Sequence, residues 1–282
     1  MPLPTLPNDI ATVVSQAIAE DLGHGDLTAA LIDARTPGTA RVLIREAATL
    51  CGCAWFDETF RQIDRDVTVT WHTADGERVA ADTVVCELRG PARSIVTGER
   101  TALNFLQTLS GTATATRACV DLLAGTRTRV LDTRKTLPGL RLAQKYAVRC
   151  GGGQNHRLGL FDAVLIKENH IAAVGSLSEA VQVARRDSPQ VMIEVEVETL
   201  TQLAEALGTD ANRIMLDNFS LDAMRQAVQL RNAHGGKRQE LEASGSVNAD
   251  TLRAVAATGV DFISIGAITK HLHAIDFSLR FV

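Results

Sequence analysis

A chain of 282 residues with a formal net charge of −4 is long enough for one large domain or two of medium size, with ample apolar content for a core. No apolar run approaches the roughly 18 residues needed to span a bilayer, and the opening MPLPTLPND carries neither the basic nor the apolar part of a signal peptide. The acidic balance and single tyrosine argue against a nucleic-acid partner, and five scattered cysteines without a Cys-x-x-Cys pair read as free thiols of a reducing cytoplasm.

Within residues 8–33, Ile10, Val13, Val14, Ala17 and Ile18 fall at helical spacing. That helix is predicted to stop at Asp21-Leu22-Gly23-His24-Gly25-Asp26, where the glycines allow a turn and Asp26 can cap a second short helix, Leu27–Ile32. Residues 39–90 change period: Ala40–Arg45, Val67–Trp71 and Val84–Leu88 are strand-like, separated by turn signals such as Asp75-Gly76, which makes a small α+β region. Glu99 to Ala124 is helical again. From Val130 the chain alternates, with strands expected at 130–132, 163–166, 191–197, 213–216, 239–243 and 262–265. Helices are expected at 141–150, 176–187, 199–207, 220–233 and 248–258, a pattern that calls for a parallel sheet with helices outside it.

The strand ends separate an open sheet from a barrel. Polar residues follow nearly every apolar run: Thr133-Arg134-Lys135, Lys167-Glu168-Asn169, Glu196, Asp217-Asn218, Ser244-Gly245 and Gly266. An open sheet gathers its ligand groups at one crevice, whereas a barrel draws them from the C-terminal ends of all its strands. The fold expected from the residues is therefore α/β, with a small or incompletely closed barrel of about six parallel strands after the α+β region.

In an acidic chain, 132–169 is strongly cationic, and positive charge at the ends of buried strands suits a polyanionic small molecule. Arg134, Lys135, Arg157 and Lys167 form the expected clamp, arginine giving bidentate contacts to carboxylates and lysine a point charge. Arg141, Lys145 and Arg149 sit at helical spacing and read as a solvated face. His156 follows three glycines and could orient a substrate or donate a hydrogen bond, or be structural. The small residues Ser244-Gly245-Ser246 and Gly266-Ala267 end the last two strands, where barrels form phosphate sites from backbone N–H groups at helix N-termini. Glu194 and Glu196 share one strand face, as do Glu242 and Ser244. Glu196 and Asp217, on successive strand ends, suit a water-rich Mg²⁺ site; the other reading is that they pair with Lys135 or Lys167. Cys51 and Cys53 could also hold a metal, although free thiols are the expectation. His170, His271 and His273 show no metal spacing, and Trp55 and Trp71 read as core. No GxGxxG, Walker A or Gly-x-Ser-x-Gly motif is present.

These motifs resemble those of the quinolinate phosphoribosyltransferases, type II phosphoribosyltransferases of NAD biosynthesis. The resemblance runs along nearly the whole chain: Glu20 to Thr28, Gly98 to Asn104, Asp132 to Thr136, Gly151-Gly152-Gly153 through Asn155-His156-Arg157, Lys167 to His170, Glu194 to Val197, Leu216-Asp217-Asn218, and the Ser244-Gly245 and Gly266 loops. It implies transfer of the phosphoribosyl group of phosphoribosyl pyrophosphate to quinolinate with decarboxylation, giving nicotinate mononucleotide, pyrophosphate and CO₂. It implies an N-terminal α+β sandwich over 1–104, on which the tail 272–282 packs back, and an incompletely closed, distorted α/β barrel of about six or seven parallel strands over 105–271. It implies Mg²⁺ as cofactor and a homodimer whose active sites borrow residues from the partner chain. By position, Arg100, Thr133, Arg134, His156, Arg157 and Lys167 resemble the quinolinate-binding set, with Arg100 supplied by the partner. Lys135, Glu196, Asp217, Ser244, Gly245, Ser246, Gly266 and Ala267 resemble the phosphoribosyl pyrophosphate set. Lys135, Lys167, Glu196 and Asp217 are the catalytic group and Glu196 and Asp217 the metal ligands. No covalent enzyme intermediate and no redox cofactor are expected. Lys270, His271 and His273 receive no role.

Other readings stay open on residues alone. A related transferase could act on nicotinate or another aromatic acid, since fold does not fix substrate. A barrel aldolase could use Lys167 as its Schiff-base residue, and a non-catalytic phosphate-binding barrel would leave Glu196 and Asp217 unexplained.

Overall fold

The computed structural model describes residues 3–236 and 238–282. In chain order the elements begin with α1 (Ile10–Leu22), a 3₁₀ turn (Ala29–Leu31), β1 (Pro37–Ile44), β2 (Ala48–Thr49), α2 (Cys53–Ile63), β3 (Thr68–Trp71), β4 (Arg78–Val79), β5 (Thr83–Pro91) and α3 (Ala92–Leu122). They continue with β6 (Arg129–Leu131), α4 (Arg141–Cys150), β7 (Ala163–Ile166), α5 (Glu168–Val174), α6 (Leu177–Asp187), β8 (Met192–Val197), α7 (Leu200–Leu207) and β9 (Arg213–Asp217). The last are α8 (Leu221–Ala233), β10 (Glu240–Ser244), α9 (Ala249–Ala256), β11 (Phe262–Ser264), α10 (Ala267–Lys270) and β12 (Phe277–Phe281). Among the described residues no helix is long and apolar enough to cross a membrane. The chain divides into two units: the chain to Arg117 with Thr136–Gly152 and Ile268–Val282, and Ala118–Lys135 with Gly153–Ala267.

The first unit is built on an antiparallel sheet in the order β12-β1-β5-β3. Alternation along β1 buries Ala40, Val42 and Ile44, and β12 extends the same face by pairing Ile44 with Phe277 and Val42 with Leu279. Phe56 and Phe60 of α2 and Ile95, Leu103 and Leu106 of α3 cover that face. A second cluster joins Val14 of α1 and Trp55 to Phe105, Leu109 and Ala113 of α3 and to Ala143, Tyr146 and Ala147 of α4. This cluster is why the expected boundary at 104/105 does not mark a division. The buried stripe of α3 continues without interruption past Asn104, and α4 packs against it. The solvated face expected for Arg141, Lys145 and Arg149 is corrected as well. Lys145 is 2% exposed, because α4 is enclosed on nearly all sides and leaves Arg149 as its exposed residue.

The second unit is a six-stranded, all-parallel sheet in the order β6-β11-β10-β9-β8-β7. Chain neighbours are sheet neighbours except at one seam, between β6 and β7, as in a barrel that has not closed. At the seam the backbone of Gln154 bridges to β6, its N–H bonding to Val130 O at 2.9 Å while its carbonyl accepts the N–H of Asp132 at 3.1 Å. One face of the strands is apolar and fully buried (Ile193, Val195, Val197, Ile214, Leu216, Leu241, Ala243), beneath Val181, Leu203, Met224 and Leu252 of the helices. The other face carries Glu194, Glu196, Arg213, Asp217, Glu242 and Ser244, which the strand registers set side by side. The elements that were not expected are β2, α2, β4, α5, α10 and β12, and α3 begins seven residues earlier than Glu99, at Ala92.

Candidate active site

The strand ends of the second unit assemble the polar residues. Asp132, which follows β6, is fully buried. Its Oδ1 accepts the backbone N–H of His156 at 2.7 Å and its Oδ2 accepts Nδ2 of Asn155 at 2.7 Å, so one carboxylate fixes the loop that carries Arg157. The next residues turn out of the strand, with the N–H of Lys135 donating to Thr133 Oγ1 at 3.1 Å. Gly266, which follows β11, lets the lysine stem lie across it: a Cβ there would stand 3.0 Å from Lys135 Cδ and 3.4 Å from Thr133 Oγ1. Thr133, Lys135 and Gly266 are thereby brought together.

His156 accepts the N–H of Arg157 at Nδ1 (2.8 Å), and its Nε2 lies 2.9 Å from Glu194 Oε2 and 3.6 Å from Glu242 Oε2. Burial pushes the Glu194 carboxyl up to about 7 against the opposing charge of Arg213. Burial, reinforced by the charge of Glu194, pushes Glu242 up to about 8. Arg157 is pushed below the usual arginine range by its own desolvation and then by the charge of Arg134, and its buried Nε has no hydrogen-bond partner. Two guanidinium groups close enough to repel, one with an unused buried donor, are suited to a ligand with carboxylates.

Lys167 continues β7. Its backbone N–H bonds Nδ1 of His170, which gives that histidine a structural place at the start of α5, and its Nζ bonds Glu196 Oε2 at 2.5 Å. Glu196 thus has a lysine partner at the strand ends. Asp217 ends β9 one register step beyond Glu196 and on the same face. Asn218 holds it, donating from Nδ2 to Asp217 Oδ2 at 3.0 Å and from its backbone to Ser244 O at 3.0 Å. Asn218 has φ 55°, a left-handed conformation that asparagine tolerates better than most residues. Gly245 packs on it at φ 125°, and a Cβ there would stand 2.5 Å from Asn218 Oδ1. Ser246, in the loop after β10, and Ala267, the first residue of α10, are exposed. The helix after β10 is capped by its own residue, with Asn248 Oδ1 accepting the N–H groups of Asp250 and Thr251, so the loop backbone before it is the part left for an anion.

Arg100 belongs to the first unit, on α3, where it lines a cleft of about 320 Å³ with Asp21, Asp26, Thr97 and Thr101. Asp26 joins the two motifs there, accepting N–H bonds from Thr28 and Ala29 at Oδ1 and the hydroxyl of Thr97 at Oδ2. The expected cap at Asp26 is thus present, on a 3₁₀ turn rather than a helix of Leu27–Ile32. All five cysteines are free, and Cys51 groups with Asp75 and Cys150 rather than with Cys53. Trp55 is core, and Trp71 is half-buried with Nε1 bonded to Asp57.

Asp132, Glu194, Glu242 and Asn218 were assigned no site role from sequence. Asp132 and Asn218 carried a usable signal, being polar residues at strand ends. The partnership of Glu194 with Glu242 depends on register across two intervening strand pairings and has no local signature.

Known proteins share this fold. The family model for the quinolinate phosphoribosyl transferase C-terminal domain matches residues 112–280, and that for the N-terminal domain matches 26–110. The chain belongs to the quinolinate phosphoribosyltransferase family. It is 42% identical over 261 residues to a probable nicotinate-nucleotide pyrophosphorylase [carboxylating] of Bacillus subtilis, covering 92% of this chain and 89% of that one. A quinolinate phosphoribosyltransferase [decarboxylating] of Nicotiana glauca is 39% identical over 293 residues, covering 96% and 82%. The solved nicotinate-nucleotide pyrophosphorylase of Francisella tularensis superposes with a TM-score of 0.94 at 48% identity over 99% of this chain and 98% of that one.

Proposed function

We infer that this family member transfers the phosphoribosyl group of phosphoribosyl pyrophosphate to quinolinate, releasing pyrophosphate and CO₂ and leaving nicotinate mononucleotide. The observation that carries the substrate is the pairing of Arg134 with Arg157, whose buried Nε has no partner, because a dicarboxylate needs two cations held together.

In this reading Arg134, Arg157 and Lys167 hold the two carboxylates so that the ring nitrogen faces the anomeric carbon. Lys135, lying across Gly266, meets the phosphates, and the backbone of Ser244–Ser246 and Gly266–Ala267 cradles the phosphoryl oxygens. As pyrophosphate leaves, the ring nitrogen takes the ribose and becomes cationic. The ring can then hold the electron pair left when the adjacent carboxylate departs as CO₂, and a proton replaces it. Glu196 and Asp217 would hold Mg²⁺: two carboxylates with no nitrogen or sulfur donor fit a hard cation that completes its shell with water and substrate oxygens. When bound, that ion offsets the charge developing on the departing pyrophosphate. Lys167 belongs with this anion-binding set through its bond to Glu196, which favours the transferase over an aldolase.

We further infer a homodimer in which Arg100 of the partner chain completes the quinolinate site, and a cytoplasmic setting, in keeping with five free thiols. The test is loss of quinolinate absorbance together with CO₂ release, with and without phosphoribosyl pyrophosphate and Mg²⁺, with nicotinate in parallel. Turnover of quinolinate that needs both additions is expected. Turnover of nicotinate instead would overturn the substrate.

A further inference from the structure

Below the strand-end residues, on the inward face of the second unit's sheet, a chain of buried polar groups takes no part in the chemistry described above. It starts at Arg213, the first residue of β9, which donates from Nη2 to Glu240 Oε2 at 3.0 Å and from Nη1 to Glu242 Oε2 at 3.4 Å. The guanidinium lies over the ring of Phe262, 4.0 Å from its centroid, which sets its plane. Glu242 is fully buried and lies 3.6 Å from His156 Nε2. The histidine ring then passes the constraint upward by accepting the N–H of Arg157 at Nδ1.

A ring nitrogen that accepts a hydrogen bond carries no proton, so in the neutral ring the proton sits on Nε2 and faces the carboxyls of Glu194 and Glu242. The Nδ1 edge of His156 is therefore committed to the protein, and Nε2 stands 2.9 Å from Glu194 and 3.6 Å from Glu242. One contribution it can make to an acid-binding site is indirect, through the backbone of the arginine that follows it. Burying Glu242 and Arg213 is costly, and apolar side chains of similar volume would fill the space at least as stably. What the polar chain adds is orientation, and its upper end is Arg157.

We propose that Glu242 is a positioning residue for the acid substrate: held by Arg213, it completes with Glu194 the pair of carboxyls that faces Nε2 of His156, and the ring fixes the backbone from which Arg157 reaches the substrate. This rests on Arg157 binding a quinolinate carboxylate.

The test is steady-state kinetics of the full-length enzyme with each substrate varied in turn, alongside thermal melting, for Glu242→Leu, Glu242→Gln and Arg157→Lys. Glu242→Leu removes the oxygen that stands 3.4 Å from Arg213 Nη1 and 3.6 Å from His156 Nε2, while Glu240 stays with Arg213 and Glu194 with His156. It is expected to raise the quinolinate KM about tenfold (about 1.4 kcal/mol), with kcat and the phosphoribosyl pyrophosphate KM within about twofold. Glu242→Gln keeps one oxygen and is expected to recover most of the loss. In Arg157→Lys, adding Glu242→Leu is expected to cost little more, since both act through one group. A fall in melting temperature or kcat with an unchanged quinolinate KM would make Glu242 a structural residue and overturn the proposal. An unchanged quinolinate KM in Arg157→Lys would instead show that the site assignment beneath it is wrong. Should Glu242→Leu not fold, Arg213→Lys, which keeps the charge and loses the fork, is judged by the same criteria.

Discussion

Nζ of Lys167, at the end of β7, bonds Oε2 of Glu196 on the adjoining strand β8, so the cation proposed to meet substrate and the carboxylate proposed to hold a metal ion hold each other in place. Removing either leaves the other in a site where Glu196 is only 9% exposed. Lys167→Met and Glu196→Gln should therefore be non-additive in kcat/KM, with a coupling of at least about 0.5 kcal/mol. A double-mutant cycle measures it, and strict additivity would show that the pair does nothing jointly.

Mg²⁺ removal separates the carboxylates from the lysines. A chelator should abolish turnover, and added Mg²⁺ should restore it. Asp217→Ala should lower kcat at least about a hundredfold, the range found when a group stabilising departing charge is lost. Full activity in chelator would remove Glu196 and Asp217 from the metal role.

Gly245 stands at φ 125° against Asn218. In Gly245→Ala the new methyl must displace Asn218, which orients Asp217, and the backbone conformation itself costs about 1–3 kcal/mol. The phosphoribosyl pyrophosphate KM should rise at least about tenfold, with the quinolinate KM changing less. Equal effects on both would show that the β10 loop does not discriminate between them.

Asp132 supplies both of its oxygens to the loop of Asn155 and His156. Asp132→Asn puts an amide donor where a second acceptor is needed. It should lower stability to urea by about 1–3 kcal/mol, the cost of a buried polar group left unsatisfied. An unchanged unfolding midpoint would mean that the loop is held elsewhere.

Glu242 is pushed up to about 8 in the fold from 4.5 in the unfolded chain. Between those values the folded protein keeps a proton that the unfolded chain has lost. The group's contribution is full below about 4.5 and is lost as the pH rises through about 8. Relative to Glu242→Gln, the native protein should lose stability over that interval by no more than about 1.4 kcal/mol per pH unit. Urea unfolding of both at several pH values tests this; parallel curves would show that the carboxyl is not held protonated.

The parallel strands were legible to within about a residue because each is a short apolar run closed by polar residues, a pattern made by burial on both ends of the same code. The strand-end residues Lys135, Lys167, Glu196 and Asp217 followed from it. Where the reading failed, tertiary packing had decided. Ala92–Thr97 contains Ile95, Val96 and Thr97, β-branched residues that weaken a helical signal, yet Ile95 is buried against the sheet as the first turns of α3. Lys145 looked solvated because its spacing was helical, but spacing says nothing of how many sides of a helix are covered. The links from Arg213 through Glu242 to His156 join segments far apart in the chain and appear only once the register is known.

The seam between β6 and β7 has a consequence for how such enzymes diverge. Where a closed barrel would lay another strand, this chain places the segment of Gln154, bonded to β6 at a single bridge, and then Asn155, His156 and Arg157. Backbone in a ladder must keep its register, since a slip of one residue turns every side chain to the wrong face. In the proposed reading the acid-binding arginine comes instead from this seam, which is free of that obligation. Lineages that exchange one aromatic acid for another can lengthen, shorten or rewrite this segment while every strand stays paired, so changes of acceptor should accumulate there first.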